Sequence, residues 1–174
     1  MGSINRTVFT NAVGLLDETL RANNQTMTVL LYGGAAAVFY VAKPTANDID
    51  LMVVRYPRDK TVIGKFEKSC TFARCEFFIM PAAFRNYLSC SVRVPAVSAG
   101  FLGPKFRLTN VNLLVLRPAC LVLSFIGWKR QGYQSLALDI IRKFRIKKEY
   151  LEQLNQSLGI CDAKMFTNFI SSTY

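Results

Sequence analysis

Residues 27–32, Met-Thr-Val-Leu-Leu-Tyr, run straight into Gly33-Gly34 and then into the small apolar stretch Ala35-Ala36-Ala37-Val38. After a break at Lys43-Pro44-Thr45 the chain resumes with Asp48-Ile49-Asp50-Leu51-Met52-Val53-Val54. The first run has strand composition, and the glycine pair predicts a turn into a helix over 35–41. The segment 48–54 alternates and then becomes wholly apolar, as an interior strand does. A strand, a glycine turn, a helix and a second strand in this order commit the chain to a sheet with helices laid on it.

The rest of the chain extends that plan. Val8, Val13, Leu15, Leu16 and Leu20 recur at helical spacing in 7–22, with Asp17, Glu18 and Arg21 on the other side. Residues 55–60, with Pro57, read as a charged connection, and 71–80 as a third strand stopped by Pro81. Between 90 and 116 lie β-rich pieces at 91–97, 105–109 and 111–116, separated by glycine and proline, whose order the pattern leaves open. From Pro118 onward the periodicity is helical, at 119–130, 135–144, 147–158 and 162–171. The expectation is an α+β fold: a mixed sheet with helices over 1–116, and a helical C-terminal portion, 117–174, packed on it in a single compact domain. With 174 residues and 51% hydrophobic content, the chain has enough apolar surface for one core, which excludes a disordered tail.

Other classes fall away on composition. Cys70, Cys75, Cys90, Cys120 and Cys161 form no Cys-x-x-Cys pair and there is no histidine, so the usual zinc spacings are missing; reduced, mostly buried thiols are expected. The uncharged run 23–42 opens polar and carries two central glycines, and 119–128 is too short to cross a bilayer, so no membrane association is expected. The first residues lack the apolar core of a secretion signal, which makes the cytoplasm, or a nucleus, the expected location. Lysine and arginine number 22 against 11 acidic residues, a net charge of +11, and such a field attracts polyanions, with nucleic acid the natural partner class. A basic domain without such a partner is the plain alternative. The cluster Arg142, Lys143, Arg145, Lys147 and Lys148 is open to the same two readings, polyanion contact or solvated helix face.

The chemistry concentrates at Asp48 and Asp50. Residues i and i+2 of a strand project from one face, so the two carboxylates stand side by side with Ile49 turned into the core. A divalent cation relieves their repulsion, and magnesium (or manganese) takes one or two carboxylates and completes its shell with phosphate oxygens and water. The glycines admit backbone amides close to those phosphates, and the helix that follows points its positive end at them. Phosphoryl or nucleotidyl transfer of this type commonly uses two metals about 4 Å apart and a third carboxylate on a neighbouring strand. Glu76, the acidic residue of the 71–80 strand, is the candidate. The competing readings are a solvated turn for Asp-x-Asp and a solvent-facing edge position for Glu76.

These residues resemble the nucleotidyltransferase superfamily of polymerase-beta-like fold, specifically the small AbiEii-like and MNT-like members of bacterial toxin–antitoxin systems. There a hydrophobic strand ends in Gly-Gly and an Arg-x-Thr-x-Asp-Ile-Asp-Leu segment follows; here the counterparts are residues 30–36 and 43–51. The resemblance extends to residues 121–129, a leucine-rich helix ending in Lys129, and to 136–140, which contain Asp139. It implies a magnesium-dependent transfer of a nucleoside monophosphate from a bound nucleoside triphosphate such as ATP. Asp48, Asp50 and Glu76 would hold metal, Gly33, Gly34, Ala35 and Thr45 would line the nucleotide, Lys129 would reach the triphosphate, and Asp139 would orient it or the nucleophile. Acceptors in such families are tRNA 3′ ends, protein hydroxyls or small molecules such as aminoglycosides, and the positive charge favours RNA or tRNA. The hydroxyl residue usual after the glycines is Ala35, the gap from Thr45 to Asp48 is one residue longer than the common form, and Ser135-Leu136 replaces the usual lysine-aspartate pair. Those departures motivate the alternative, a degenerate member that binds RNA or protein without turnover. A third reading makes the chain an antitoxin-like or partner-bound subunit, docking through Met165, Phe166, Phe169 and Ile170 of the last helix.

Overall fold

The computed structural model describes residues 3–40, 44–82, 85–94, 108–128 and 132–174. Helix α1 (Arg6–Ala22) starts where the Asn5 side chain accepts a hydrogen bond from the Val8 amide at 3.0 Å. It leads to β1 (Met27–Tyr32), which passes without a loop into α2 (Gly33–Phe39), a helix buried on every side. Strand β2 (Ile49–Arg55) then runs back antiparallel to β1, with Tyr32 opposite Asp50 and Leu30 opposite Met52. Helix α3 (Thr61–Ser69) leads to β3 (Cys75–Ile79), parallel to β2. Short α4 (Arg85–Ser89) and β4 (Ser91–Arg93) precede β5 (Val111–Leu116), which lies parallel to β1 and antiparallel to β4. Helices α5 (Pro118–Gly127), α6 (Tyr133–Phe144), α7 (Lys148–Leu158) and α8 (Ala163–Thr173) complete the chain.

The result is α+β: an open mixed sheet of five strands in the order β3-β2-β1-β5-β4, with eight helices, among the described residues. Register divides the sheet into two faces. Leu31, Leu51 and Phe77 share one, where Phe77 meets Phe66 of α3 at 5.8 Å between ring centroids and α1 lies beside α3. Tyr32, Asp50 and Glu76 share the other, with Leu30 and Met52, and α5 covers it through Trp128, 5.3 Å from the Tyr32 ring.

Several expectations shift. The strand expected over 71–80 covers only Cys75–Ile79, and it sits at the edge of the sheet. The charged connection at 55–60 leads into a helix, α3, that the pattern did not announce. Of the β-rich pieces, 111–116 is β5, 91–97 is strand only at Ser91–Arg93, and residues 95–107 lie outside the described residues. Asp17 was expected on the polar side of its helix; it is 5% exposed, and its Oδ1 accepts from the amides of Thr109, Asn110 and Val111 at 2.9, 2.7 and 2.7 Å. The Thr109 hydroxyl donates to Oδ2 at 3.1 Å. A carboxylate that satisfies consecutive backbone donors can be buried without a cation, and this one ties α1 to the start of β5.

The C-terminal stripe offered to a partner is covered within the chain. Phe166, Phe169 and Ile170 are buried, and α8 packs on α5. Arg142 and Lys143 occupy the last turn of α6, where the negative end of the helix dipole favours cations, and Arg142, Lys143, Arg145 and Lys147 are exposed. All five cysteines are free thiols, four of them buried. Burial lifts the Cys161 thiol to about 11, so it stays protonated and unreactive near neutrality. Among the described residues no helix is long and apolar enough to cross a membrane.

Candidate active site

Three neighbouring strands carry the candidate site in one row. Tyr32 on β1 faces Asp50 on β2, and Asp50 pairs with Glu76 on β3. Strand spacing sets adjacent members about 4.8 Å apart along the hydrogen-bonding direction, with their side chains on the same face. Asp50 is 8% exposed, and Ile49 is fully buried behind it. Asp48 stands two residues earlier, just before β2 begins, and is half-buried. Its segment is held by a pair of backbone hydrogen bonds between Ala46 and Ile4, at 2.7 and 2.8 Å.

The electrostatics of Tyr32 report the same gathering. Burial raises its phenol most, followed by the Asp50 carboxylate, Tyr133, Glu76 and Asp48. One buried hydroxyl therefore lies in the field of all three candidate carboxylates. An aromatic wall closes the site: Tyr32 meets Trp128 and Phe78 edge to face, Trp128 stacks on Tyr133 at 5.8 Å, and Phe125 meets Tyr133 at 4.7 Å. Burial also raises Tyr40, whose hydroxyl donates to the Leu116 carbonyl at 2.6 Å, and Tyr87. An unfolded chain ionises these phenols from about their ordinary value of 10.0, whereas the folded protein keeps them protonated longer. Stability is thus full below pH 10.0 and falls as pH rises past it, because the unfolded state then binds fewer protons. Phenolate absorbance should develop at lower pH in urea-unfolded protein than in native protein; coincident titration curves would contradict this.

Gly33 has a role that its sequence position does not announce. Its φ is +66°, and a Cβ built on it would collide with Oδ2 of Asp50. The missing side chain makes room for the carboxylate, in addition to any approach of a ligand. Gly34 and Ala35 are buried in α2, which spans seven residues. A helix of that length is a weak dipole source, so the anion-attracting role given to it from sequence loses force.

The remaining candidates separate. The edge position weighed for Glu76 is the one it takes: on the edge strand its side chain keeps 29% exposure and forms an ion pair with Arg74. Its position therefore carries no desolvation cost that demands a functional role, and Arg74 is a neighbour of the row that the sequence reading omitted. Arg74 is the residue two before Glu76, so strand alternation could have found it. Thr45 is half-buried on the segment that leads to Asp48. Asp139 is not brought to the row: it is exposed on α6, off the stripe formed by Tyr133, Ala137, Ile140 and Ile141 that packs inward. Lys129 lies outside the described residues, directly after Trp128.

Among the described residues, no three or more His, Cys, Asp or Glu side chains gather in a way that could hold a metal ion. Asp48 and Asp50 offer hard carboxylate oxygens, the donor type that oxygen-seeking cations prefer, while the third carboxylate of the row, Glu76, is engaged by Arg74. Comparison of the chain with family models, with curated proteins and with solved structures found no match.

Proposed function

We propose that the chain is a magnesium-dependent nucleotidyltransferase, of the kind its Gly33-Gly34 and Asp48-Ile49-Asp50 segments resemble, that transfers a nucleoside monophosphate from a nucleoside triphosphate to RNA. The observation that carries this reading is the row of Tyr32, Asp50 and Glu76 on three adjacent strands, with Asp48 at its mouth and Gly33 beneath Asp50. Asp48 and Asp50 would hold the cation, with Glu76 joining once Arg74 releases it. A magnesium ion held there with the triphosphate would supply charge neutralisation at the phosphates and a lowered pKa for the attacking hydroxyl. The chain's own residues do the positioning. Buried Asp50 rests against Gly33, Trp128 and Tyr133 would exclude water from one side, and the exposed Arg74, on leaving Glu76, would turn toward phosphate.

The experiment is incubation of the protein with each α-phosphate-labelled nucleoside triphosphate, magnesium and total RNA, beside Asp48→Asn/Asp50→Asn. Label is expected in RNA with the wild type alone. No label in any acceptor from a folded wild-type protein would overturn the reading. The second reading, a binding module without turnover, draws on the Arg74–Glu76 ion pair and the outward-facing Asp139. It requires RNA binding that is indifferent to magnesium and unchanged by the same double substitution.

A further inference from the structure

At the end of the sheet opposite the carboxylate row, β2 finishes at Arg55, about 17 Å along the strand from Asp50. There the turn between α1 and β1 and the connection after β2 enclose a cavity of about 320 Å3, lined by Asn24, Gln25, Thr26, Arg55, Tyr56 and Arg58. The lining is nearly all polar, and the volume falls at the lower end of the ~300–1,000 Å3 of small-ligand sites.

Two features make this cavity more than a gap between loops. All 11 acidic residues of the chain lie within the described residues, yet none forms an ion pair with Arg55 or Arg58. Asp59, the acid next in sequence, has its Oδ1 engaged by the Thr61 amide and hydroxyl at 2.9 and 2.7 Å. The walls are also held in place. Asn24 adopts a left-handed conformation with φ 51°, Gln25 Oε1 accepts from the Asp59 amide at 3.2 Å, and the Lys60 ammonium sits 4.7 Å from the centre of the Tyr56 ring. Lys65 reaches across to Asn23 Oδ1 at 2.6 Å, bringing another cation to the rim. Unpaired guanidinia converging on a polar cavity in a positive field match the geometry of phosphate oxygens.

We propose that this cavity is a phosphate-binding site whose occupant is a phosphodiester of a single-stranded nucleic acid. Arg55 and Arg58 grip the phosphate oxygens, the Asn24 and Gln25 side chains supply neutral hydrogen bonds, and Lys60 and Lys65 hold the flanking backbone. Binding here needs no metal and no part of the carboxylate row, so it stands or falls apart from the transferase reading.

The test measures fluorescence anisotropy of a short labelled single-stranded RNA across a salt series, with full-length protein. Arg55→Gln/Arg58→Gln is compared with Arg142→Gln/Lys147→Gln, which removes the same charge from an exposed helix junction. The cavity variant is expected to lose about tenfold in affinity and to flatten the salt slope by about 0.7, the share of one phosphate contact on a single strand. The control should change affinity less than about twofold, and Asp48→Asn/Asp50→Asn should bind as the wild type does. Both arginines are exposed, and circular dichroism will verify that the variant is folded. Equal losses in the two arginine variants would reduce the effect to net charge and overturn the proposal, as would wild-type binding by the cavity variant. Displacement of the RNA by adenosine monophosphate at concentrations that match its own arginine-dependent binding would assign the cavity to a free nucleotide and overturn the nucleic-acid source.

Discussion

Gly33→Ala is expected to destabilise the protein by ~3 kcal/mol and to disable the carboxylate row even where the fold survives. Two separate penalties combine. A φ of +66° places an alanine in the left-handed region, at roughly 1 kcal/mol. The new methyl then falls on Oδ2 of Asp50, a side chain only 8% exposed, hemmed by Tyr32 and Glu76 on the adjoining strands. Displacing a packed group of that kind adds about 2 kcal/mol. A double-mutant cycle separates the two, because Asp50→Ala removes the group that is struck while leaving the backbone strain. Urea unfolding should then show Gly33→Ala costing only about 1 kcal/mol in the Asp50→Ala background, a coupling of about 2 kcal/mol. Additive losses would mean that Asp50 does not rest on Gly33.

Asp17→Ala should be nearly as damaging, at about 3–5 kcal/mol, although the residue lies far from any chemistry. Its carboxylate is the common acceptor for the amides of Thr109, Asn110 and Val111, and for the Thr109 hydroxyl. Truncation removes the acceptor of the three amides at the entrance to β5, next to the central strand β1, while the Thr109 hydroxyl keeps Asn110 Oδ1 at 2.8 Å. Asp17→Asn keeps an oxygen in place and loses only the charge assistance, so a cost of about 1–2 kcal/mol is expected. The ranking Ala worse than Asn, read from urea midpoints at constant m-value, is the diagnostic outcome. Equal costs for the two variants would show that the charge, and not the acceptor geometry, ties α1 to β5.

Both predictions concern residues whose types were plain in the chain while their surroundings were not. The strand at Met27–Tyr32 and the one at Val111–Leu116 coincide with the apolar runs that announce them, and the helix ends after Pro118 fall within a few residues of expectation. Asp162, read as the first residue of the last helix, is its cap, its side chain accepting from the Lys164 and Met165 amides at 3.0 and 3.1 Å. Helix α3 escaped notice because its inward face is thin: only Val62 and Phe66 are buried in a segment of nine residues. Asp17 was misplaced because a periodicity argument assigns charged residues to solvent and has no means of seeing the amides that arrive from a segment some ninety residues later.

The candidate site shows the same division. Asp50 inside a strand follows from the apolar run that carries it, although β2 begins only at Ile49 and leaves Asp48 on the segment before it, and Gly33-Gly34 as the end of β1 follows from composition; these are local properties that any fold built on the segments must respect. Strand order is different, because it depends on which apolar faces bury one another across the whole chain. Only that choice put β3 at the edge beside β2, set Glu76 level with Asp50, left it exposed enough to pair with Arg74, and turned Asp139 to solvent. The same choice brought the α1–β1 turn against the end of β2, so that the exposed Arg55 and Arg58 line a cavity. Local stereochemistry thus determined the parts and their facing directions, whereas long-range burial decided which of them meet.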